Sequence, residues 1–526
     1  MTRLLPTARP VWTRCFSIYA LGVVLGLGAP RLAAQNCTGP IALTSQAEVD
    51  AFACATLDGT LRIGYINADL DTDITDLSPL ARLEAVTQDL LIGGNPNLTS
   101  LEGLGGVRGT GGLFHVKRNN GLEDLSGLTM TGVEQLLIED NEGLRSLRGL
   151  ETLATVEVRI DITGNDALRS LSGLDGVTQL SALTIADNTS LASLDGLGAL
   201  TRVAGVMRLR GNAALLTMEG LDVLTDVQNF IVEDNDALES FVGLERLANV
   251  FEFVVRGNDG LLSFEGLTVP ALTPQVLTIE ENDALRNLEG LEGLRGLFAL
   301  GIYENDALET LAGLDSLDNA TFSTISGNPS LRNLNGLESL TSVGFSMEIS
   351  DNTSLLHVDA LRNVLTGDVL TVRDNPQLAA CSCGLFNLID SGGVSDEVVI
   401  ERNAPGCNAP SELMEPAPGT CPTVVSNAPD ALPRSESVLT AYPNPGATHL
   451  TFDVPAPATA RLVVYDLLGR AVQVVFDGPA AQSVTVALPR HALPSGTYVA
   501  RLTLSDSAGA APLSPQVETR RFVVVR

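Results

Sequence analysis

The residue types that usually carry enzyme chemistry are few in this chain and widely separated. Of the four histidines, His115 and His357 lie far apart in the sequence, and His449 and His491 lie near the carboxyl end. We find no nucleophile elbow, no His-Glu-x-x-His zinc motif and no glycine-rich phosphate loop. Acidic residues are plentiful, but a catalytic carboxylate pair needs a cleft that changes one pKa. We therefore expect a non-enzymatic protein with no cofactor and no bound metal.

One acidic segment has the alternating carboxylates of a calcium loop. Asp69, Asp71, Asp73 and Asp76 supply them, but the glycine expected at position six and the glutamate expected at position twelve are missing. The pattern favours a solvated acidic loop over a cation site.

The whole chain is strongly acidic, with a formal net charge of -31. Phosphate backbones need basic surfaces, so nucleic acid is not an expected partner. Lys117 is the only lysine, and arginines supply the other cations. Both a saline environment and a genomic base bias are compatible with this composition.

An asparagine recurs every 22 to 24 residues through the middle of the chain. A repeated structural unit must therefore position the side chains described above. Such a period indicates a solenoid, which presents surface and does not enclose a reaction. Apolar residues alternate before each asparagine, as a short strand requires, and leucines follow at intervals of three. The series is Asn95, Asn119, Asn141, Asn165, Asn188, Asn212, Asn235, Asn258, Asn282, Asn305, Asn328, Asn352 and Asn375.

We interpret the asparagines as a buried structural ladder. A coil that turns away from a strand leaves backbone groups without partners, and a short amide can satisfy them. The sequons at Asn188 and Asn352 would then carry no sugar. A glycine lies eight residues after the asparagine in eleven successive units, which predicts a turn with a positive φ or a close backbone approach. These are Gly103, Gly127, Gly149, Gly173, Gly196, Gly220, Gly243, Gly266, Gly290, Gly313 and Gly336.

Residues two and four positions before each asparagine should point outward from the strands. Among them, Arg208, Arg210 and Arg256 form a basic group on an acidic protein. Arginine forks suit carboxylates and sulfates, so we predict that an anionic ligand, either a protein loop or an acidic polysaccharide, binds here. A solvated sheet face without a ligand is the alternative. The outward positions that complete the predicted site are Lys117, Glu233 and Tyr303.

Six cysteines lie at the two ends of the repeat region. An open solenoid exposes its core at both ends, and an exported chain favours disulfides there. Cys37 and Cys54 flank a predicted helix and should pair. Cys381 and Cys383 should not bond each other, which leaves two cross pairings with Cys407 and Cys421; zinc is a weaker alternative.

The repeats resemble leucine-rich repeats, and more closely the bacterial receptor-L-domain-like type. The resemblance covers residues 36–421 and includes a capping box, Ser45 to Glu48, ahead of the first coil. It implies a β-rich solenoid of about 14 coils with disulfide caps. The family binds many ligands, so the resemblance names none.

The two ends of the chain read as export signals. Residues 1–35 combine arginines, an apolar run and a small-residue end, as in a signal peptide. No later segment is long and apolar enough for a transmembrane anchor. Residues 422–440 read as a linker, and residues 441–526 contain six or seven short alternating segments that predict a small immunoglobulin-like β-sandwich.

This tail is similar to the type A carboxy-terminal sorting domain of the type IX secretion system. The resemblance implies outer-membrane export, recognition by the type IX machinery, and removal by a sortase-like peptidase that often attaches the product to lipopolysaccharide. An ordinary immunoglobulin-like domain is the alternative. The motif residues are Tyr442, Pro443, Asn444 and Pro445, then Gly469, Gly496 and Tyr498.

Together these features predict an exported binding protein, displayed on the cell surface or released, that recognises a macromolecule through its exposed strand face. A structural or adhesive role in the cell envelope or biofilm matrix is the alternative. A carbohydrate-binding role is disfavoured because Tyr303 is the only aromatic residue at the predicted outward positions.

Overall fold

The chain forms a β-solenoid of about 15 turns with few helices, close to the number of coils predicted. In the computed structural model, the described residues are 35–67, 70–267, 274–413, 440–442, 449–465, 471–487, 496–506 and 516–524. The predicted signal peptide lies outside them apart from Gln35, and the predicted linker apart from Thr440. None of the helices in the described ranges has the length and apolar character that a membrane crossing requires.

The solenoid is built from short strands, one or two in each turn, with small helical caps. The helices are α1 (Gln46–Asp50) and α2 (Ser382–Asp390), with 3-10 turns at Ser78–Leu80, Asp359–Asn363 and Pro410–Glu412. The strands of the repeat region are β1 (Gln35–Thr38), β2 (Ile41–Leu43), β3 (Cys54–Asp58), β4 (Leu61–Gly64), β5 (Ala85–Val86), β6 (Leu90–Gly93), β7 (Leu113–Lys117), β8 (Gly132–Glu139), β9 (Thr155–Thr163), β10 (Gln179–Leu180), β11 (Ala182–Ala186), β12 (Arg202–Arg210), β13 (Asp226–Glu233), β14 (Asn249–Arg256), β15 (Val276–Glu280), β16 (Gly296–Tyr303), β17 (Asn319–Ser326), β18 (Ser342–Ser350), β19 (Gly367–Arg373) and β20 (Val394–Glu401).

The first compact unit runs to Leu285 and includes Gly301–Asn305. Its main sheet is parallel, with β2, β4, β6, β7, β8, β9, β11, β12, β13, β14 and β15 adjacent in that order. Inward residues stack on those of the next coil: the Phe230 and Phe253 rings are 5.4 Å apart, and Phe241 and Phe264 are 5.3 Å apart. The parallel register therefore places equivalent repeat positions side by side.

The predicted asparagine ladder is confirmed, because all thirteen residues are fully buried. Asn188 shows the pattern. Its Nδ2 donates to the carbonyl of Ala186 in its own coil at 2.9 Å and to that of Ile162 in the preceding coil at 2.9 Å. Its Oδ1 accepts from the backbone N–H of Asn165 at 3.1 Å. Each asparagine thus satisfies backbone groups that the turn removes from the sheet.

The ladder has end members that the 22-to-24-residue spacing does not reveal. Thr72 Oγ1 donates to Asn95 Oδ1 at 2.6 Å at the amino end. At the carboxyl end, Asn403 Oδ1 accepts from the backbone N–H of Asn375 at 3.0 Å although the two are 28 residues apart. An irregular last coil therefore still supplies the required amide.

The repeated glycines all have a positive φ, as predicted. Gly220 has a φ of +104°, and a Cβ added there would lie 2.5 Å from the carbonyl carbon of Leu194 in the preceding coil. The position needs glycine both for its dihedral angle and for the close approach of two coils.

The second unit contains Arg286–Leu300 and the chain from Asp306. Strands β17 to β20 continue in parallel register within it. The described tail residues form one antiparallel sheet in which two long strands pair as a hairpin, and a two-sheet sandwich stays a prediction. The tail strands are β21 (Thr440–Tyr442), β22 (His449–Tyr465), β23 (Ala471–Ala487), β24 (Gly496–Asp506) and β25 (Gln516–Val524).

Disulfides close both ends of the repeat region. Cys37 and Cys54 join β1 to β3 as predicted, with Cα atoms 5.7 Å apart. Cys381, at the start of α2, bonds Cys407 across a Cα separation of 5.6 Å. The structure therefore selects one of the two connectivities that the sequence left open. Cys421 lies outside the described residues.

Candidate binding face on the strands

In the first unit, the parallel register aligns the outward positions into two columns, which together we call the strand face. The column four residues before the asparagines contains His115, Leu137, Asp161, Thr184, Arg208, Ile231, Val254 and Thr278. The column two residues before them contains Lys117, Glu139, Thr163, Ala186, Arg210, Glu233, Arg256 and Glu280. Both follow from strand alternation, since the residue between them faces the core.

The predicted arginines lie on this face and are exposed, but each has a carboxylate partner. Arg208 Nε lies 3.5 Å from Glu233 Oε1. Arg210 Nε lies 3.2 Å from Asp234 Oδ2 and 3.9 Å from Glu233. The hydrogen bond with Asp234 raises the pKa of Arg210 above its usual value.

Arg256 is paired in the same way on the neighbouring strands. Its Nε lies 3.0 Å from Glu281 Oε2 and 3.7 Å from Glu280, and the hydrogen bond with Glu281 raises its pKa. Three arginines therefore face four carboxylates, and the patch carries alternating positive and negative charges. An anionic ligand would have to compete with these carboxylates, so the predicted preference for anions stays a prediction.

Sequence reasoning missed the acidic residues that come directly before the ladder asparagines. Asp187, Asp234 and Glu281 occupy the left-handed region, with φ between 55° and 56°, at the turn that ends each strand. They were left out because only alternate strand positions were counted as outward. The Asp-Asn or Glu-Asn pair that follows these strands is the signal that would have found them.

Lys117 and His115 form a different cluster from the arginines. Glu139 Oε2 lies 3.1 Å from His115 Nε2 and 2.9 Å from Lys117 Nζ. The hydrogen bond from His115, reinforced by Lys117, lowers the pKa of Glu139 to about 2 despite partial burial. Lys117 and Arg210 are four strands apart, roughly 19 Å at the usual strand spacing. The predicted site residues therefore divide into two groups.

Two predicted features remain: Tyr303, which lies near the Arg256 group, and the acidic segment of the first coil. Tyr303 folds its ring over the backbone of Gly301. In the acidic segment, Asp73 Oδ1 accepts from the backbone N–H of Gln46 at 2.9 Å, and Asp76 Oδ1 accepts from that of Ser78 at 2.8 Å. Asp69 is outside the described residues, among which no group of three His, Cys, Asp or Glu could hold a metal ion.

Outward aromatic residues are more numerous than the sequence indicated. Phe251, Phe298 and Phe345 are each more than half exposed, and each lies seven residues before a ladder asparagine. The prediction took only the positions two and four residues before each asparagine as outward, whereas many of the strands are eight or nine residues long. A longer strand adds outward positions at its amino end, and the aromatic residues there remove the reason for disfavouring a carbohydrate ligand.

The carboxyl-terminal tail is similar to a known protein family. Residues 440–509 match the secretion system C-terminal sorting domain, whereas no curated protein matches the chain. Within the matched segment, Tyr442 lies in β21, and Gly496 and Tyr498 lie in β24. Residues 443–445 and Gly469 of the predicted motif lie outside the described residues. The chain therefore carries a sorting domain that marks proteins exported through the type IX secretion system to the cell surface or the extracellular space.

Proposed function

We propose that this chain is a non-catalytic binding protein that recognises another protein through its strand face after export. The sorting domain accounts for its presence outside the cell. A regular solenoid offers recognition a broad outward sheet. The proposal depends on the strand face of the first unit, where side chains from successive coils stand side by side.

One observation carries the proposal: the column Arg210, Glu233, Arg256 and Glu280 alternates in charge beside the half-buried apolar residues Ile231 and Val254. A surface with both signs of charge and some apolar area fits a protein surface with the complementary pattern. A polyanion would meet more carboxylates than arginines. We therefore favour a protein ligand over an acidic polysaccharide.

The finer assignments from the sequence belong to the same proposal. The repeats would be leucine-rich repeats of the receptor-L-domain-like type, and the first 35 residues a signal peptide. The tail would complete an immunoglobulin-like sandwich that a sortase-like peptidase removes. Mass spectrometry of surface and medium fractions would detect the predicted loss of the residues after about 440.

The test uses the exported protein in two steps. A protein and glycan array first identifies ligands, and binding of the best one is then titrated at two salt concentrations. We expect one saturable protein ligand, bound at least about tenfold more weakly by the Arg210→Glu, Arg256→Glu double variant. The control is Arg169→Glu with Arg246→Glu, which makes the same charge change at exposed positions off the strand face.

Two outcomes would contradict the proposal. One is a saturable ligand whose affinity is the same for the strand-face variant and the control variant. The other is broad, weak binding that fades with salt, which would support the structural or adhesive role.

A further inference from the structure

A second outward surface lies on the amino-terminal halves of strands β12, β13 and β14 and on Gln275, the residue before β15. Arg202, Asp226 and Asn249 are neighbours in parallel register and form its first column. Two residues further along, Gln228 and Phe251 form a second column, which Gln275 extends by donating its backbone N–H to the carbonyl of Phe251 at 2.8 Å. The valines between the two columns, Val203, Val227 and Val250, are buried in the core.

These columns line an open cleft of about 380 Å³. That volume lies in the range of small-molecule sites, roughly 300–1,000 Å³. The cleft belongs wholly to the first unit. Its residues precede the strand-face residues of the same coils by three or more positions, so the two surfaces do not share a side chain.

The polar groups of the cleft are partly pre-organised. Asp226 accepts a hydrogen bond from Asn249 Nδ2 at 2.8 Å through one carboxylate oxygen and one from Thr225 Oγ1 through the other. These bonds hold the carboxylate in place while its remaining lone pairs can still accept. Arg202 is exposed, and in the described part of the chain no carboxylate oxygen lies within 4.0 Å of its guanidinium. The cleft thus offers a carboxylate and an amide in fixed positions and an exposed guanidinium beside them.

One aromatic ring stands among these polar groups. Phe251 is 54% exposed, and Gln228 and Gln275 flank it on the neighbouring coils. A large apolar side chain left in water at this level is informative when hydrogen-bonding groups surround it. An aromatic face can cover the C–H face of a sugar ring, while amides, a carboxylate and a guanidinium exchange hydrogen bonds with its hydroxyls.

We propose that this cleft binds a sugar unit of a neutral polysaccharide, with Phe251 as the stacking platform. Asp226 and Asn249 would bind adjacent hydroxyls, and Arg202 would donate to a further oxygen. A polyanion fits less well because Asp226 and the nearby Glu252 place negative charge at the cleft. A wholly apolar ligand would leave the polar groups without partners. This site is additional to the protein-binding strand face.

The test is affinity electrophoresis of the full exported protein in gels that contain laminarin, xylan or galactomannan, with alginate as the anionic comparison. We expect retardation by at least one neutral polysaccharide. Phe251→Ala should weaken that binding at least about tenfold, Asp226→Ala should weaken it similarly, and Phe251→Trp should retain it.

Phe298→Ala is the matched control, because Phe298 is 52% exposed and occupies the same repeat position in the second unit. It should leave the affinity unchanged, as should the strand-face double variant. Unchanged thermal unfolding of Phe251→Ala would show that the substitution does not act through the fold.

Several results would overturn the proposal. These are no retardation by any neutral polysaccharide, retardation by alginate alone, undiminished binding by Phe251→Ala, or equal loss in the Phe298→Ala control. A protein ligand that requires Phe251 while no polysaccharide binds would also reject it. Loss of protein binding in the strand-face variant would not affect polysaccharide binding in the cleft. The failure of one proposal can therefore be distinguished from the failure of the other.

Discussion

The inward and outward positions of the same coils differ sharply in how much their residues vary. The ladder position holds asparagine in thirteen successive coils, and all thirteen are fully buried. The outward column two residues earlier holds Lys117, Glu139, Thr163, Ala186 and Arg210 in five successive coils. The comparison separates what every coil needs from what each coil is free to change.

The physical reason lies in the solvent on each side. At the ladder, backbone groups have no access to water, so an amide must supply both a donor and an acceptor in every turn. On the strand face, water can replace a missing partner, and a changed side chain costs little. Variation there is consistent with a surface that contacts other molecules.

The largest effect on stability is expected when one ladder amide is removed. Asn188→Ala leaves the N–H of Asn165 and the carbonyls of Ile162 and Ala186 without their partners. We expect the free energy of unfolding to fall by about 3 kcal/mol. Urea denaturation followed by circular dichroism measures this change.

Thr184→Ala is the control because Thr184 lies on the outward side of the same coil. It should change the free energy of unfolding by less than about 0.5 kcal/mol. Equal losses in the two variants would refute the distinction between the two sides.

A smaller effect is expected where the constraint is steric. Gly220→Ala places a methyl group against the carbonyl of Leu194 at a φ of +104°, so the coils must move apart. We expect a loss of about 2 kcal/mol, measured in the same urea experiment.

Gly198 supplies the matched control for this substitution, since a Cβ there would have no neighbour within 4 Å. Gly198→Ala should be neutral or slightly stabilising. If Gly220→Ala were equally harmless, close packing between coils would not explain the repeated glycine.

The smallest effect concerns an ion pair on the outward side. The folded-state pKa of Glu139 is about 2, below the ordinary value of 4.5, so its stabilising contribution is present above pH 4.5 and is lost as the pH falls toward 2. Glu139→Gln should lower the free energy of unfolding at pH 7 by about 1 kcal/mol, a figure reduced for solvent screening.

The measurement is the difference between wild type and Glu139→Gln as a function of pH. It should shrink as the pH falls from about 4.5 toward 2. Glu142→Gln, which removes an exposed carboxylate three residues away, should show no such dependence. A difference that grows on acidification would mean that the bonds with His115 and Lys117 do not stabilise the charged form.

Much of the fold was predictable because the inward contacts repeat. The asparagine ladder, the positive-φ glycines and the Cys37–Cys54 disulfide all follow from local spacing. The predicted capping box is present in part: Ser45 Oγ accepts from the backbone N–H of Glu48, but Glu48 accepts in return from Thr44. Local patterns therefore identify a cap better than its detailed partners.

The candidate sites were less predictable, because they depend on neighbours that are some 23 residues apart in sequence. Arg210 pairs with Asp234, and Arg256 pairs with Glu281. The group that was predicted to be basic is therefore a surface of mixed charge. The exposed ring of Phe251 beside Gln228 and Gln275 appears only when the longer strands are aligned.

The sequence by itself determined that this protein is a coil repeated many times, since the need to satisfy buried backbone groups recurs with every turn and leaves the same residue at the same interval. It also determined the export tail, whose motif is local. Only the tertiary structure decided which cysteine Cys381 joins, which charges neutralise each other and which rings face solvent. Those outcomes depend on the register between coils, which brings distant residues within a few ångströms of one another.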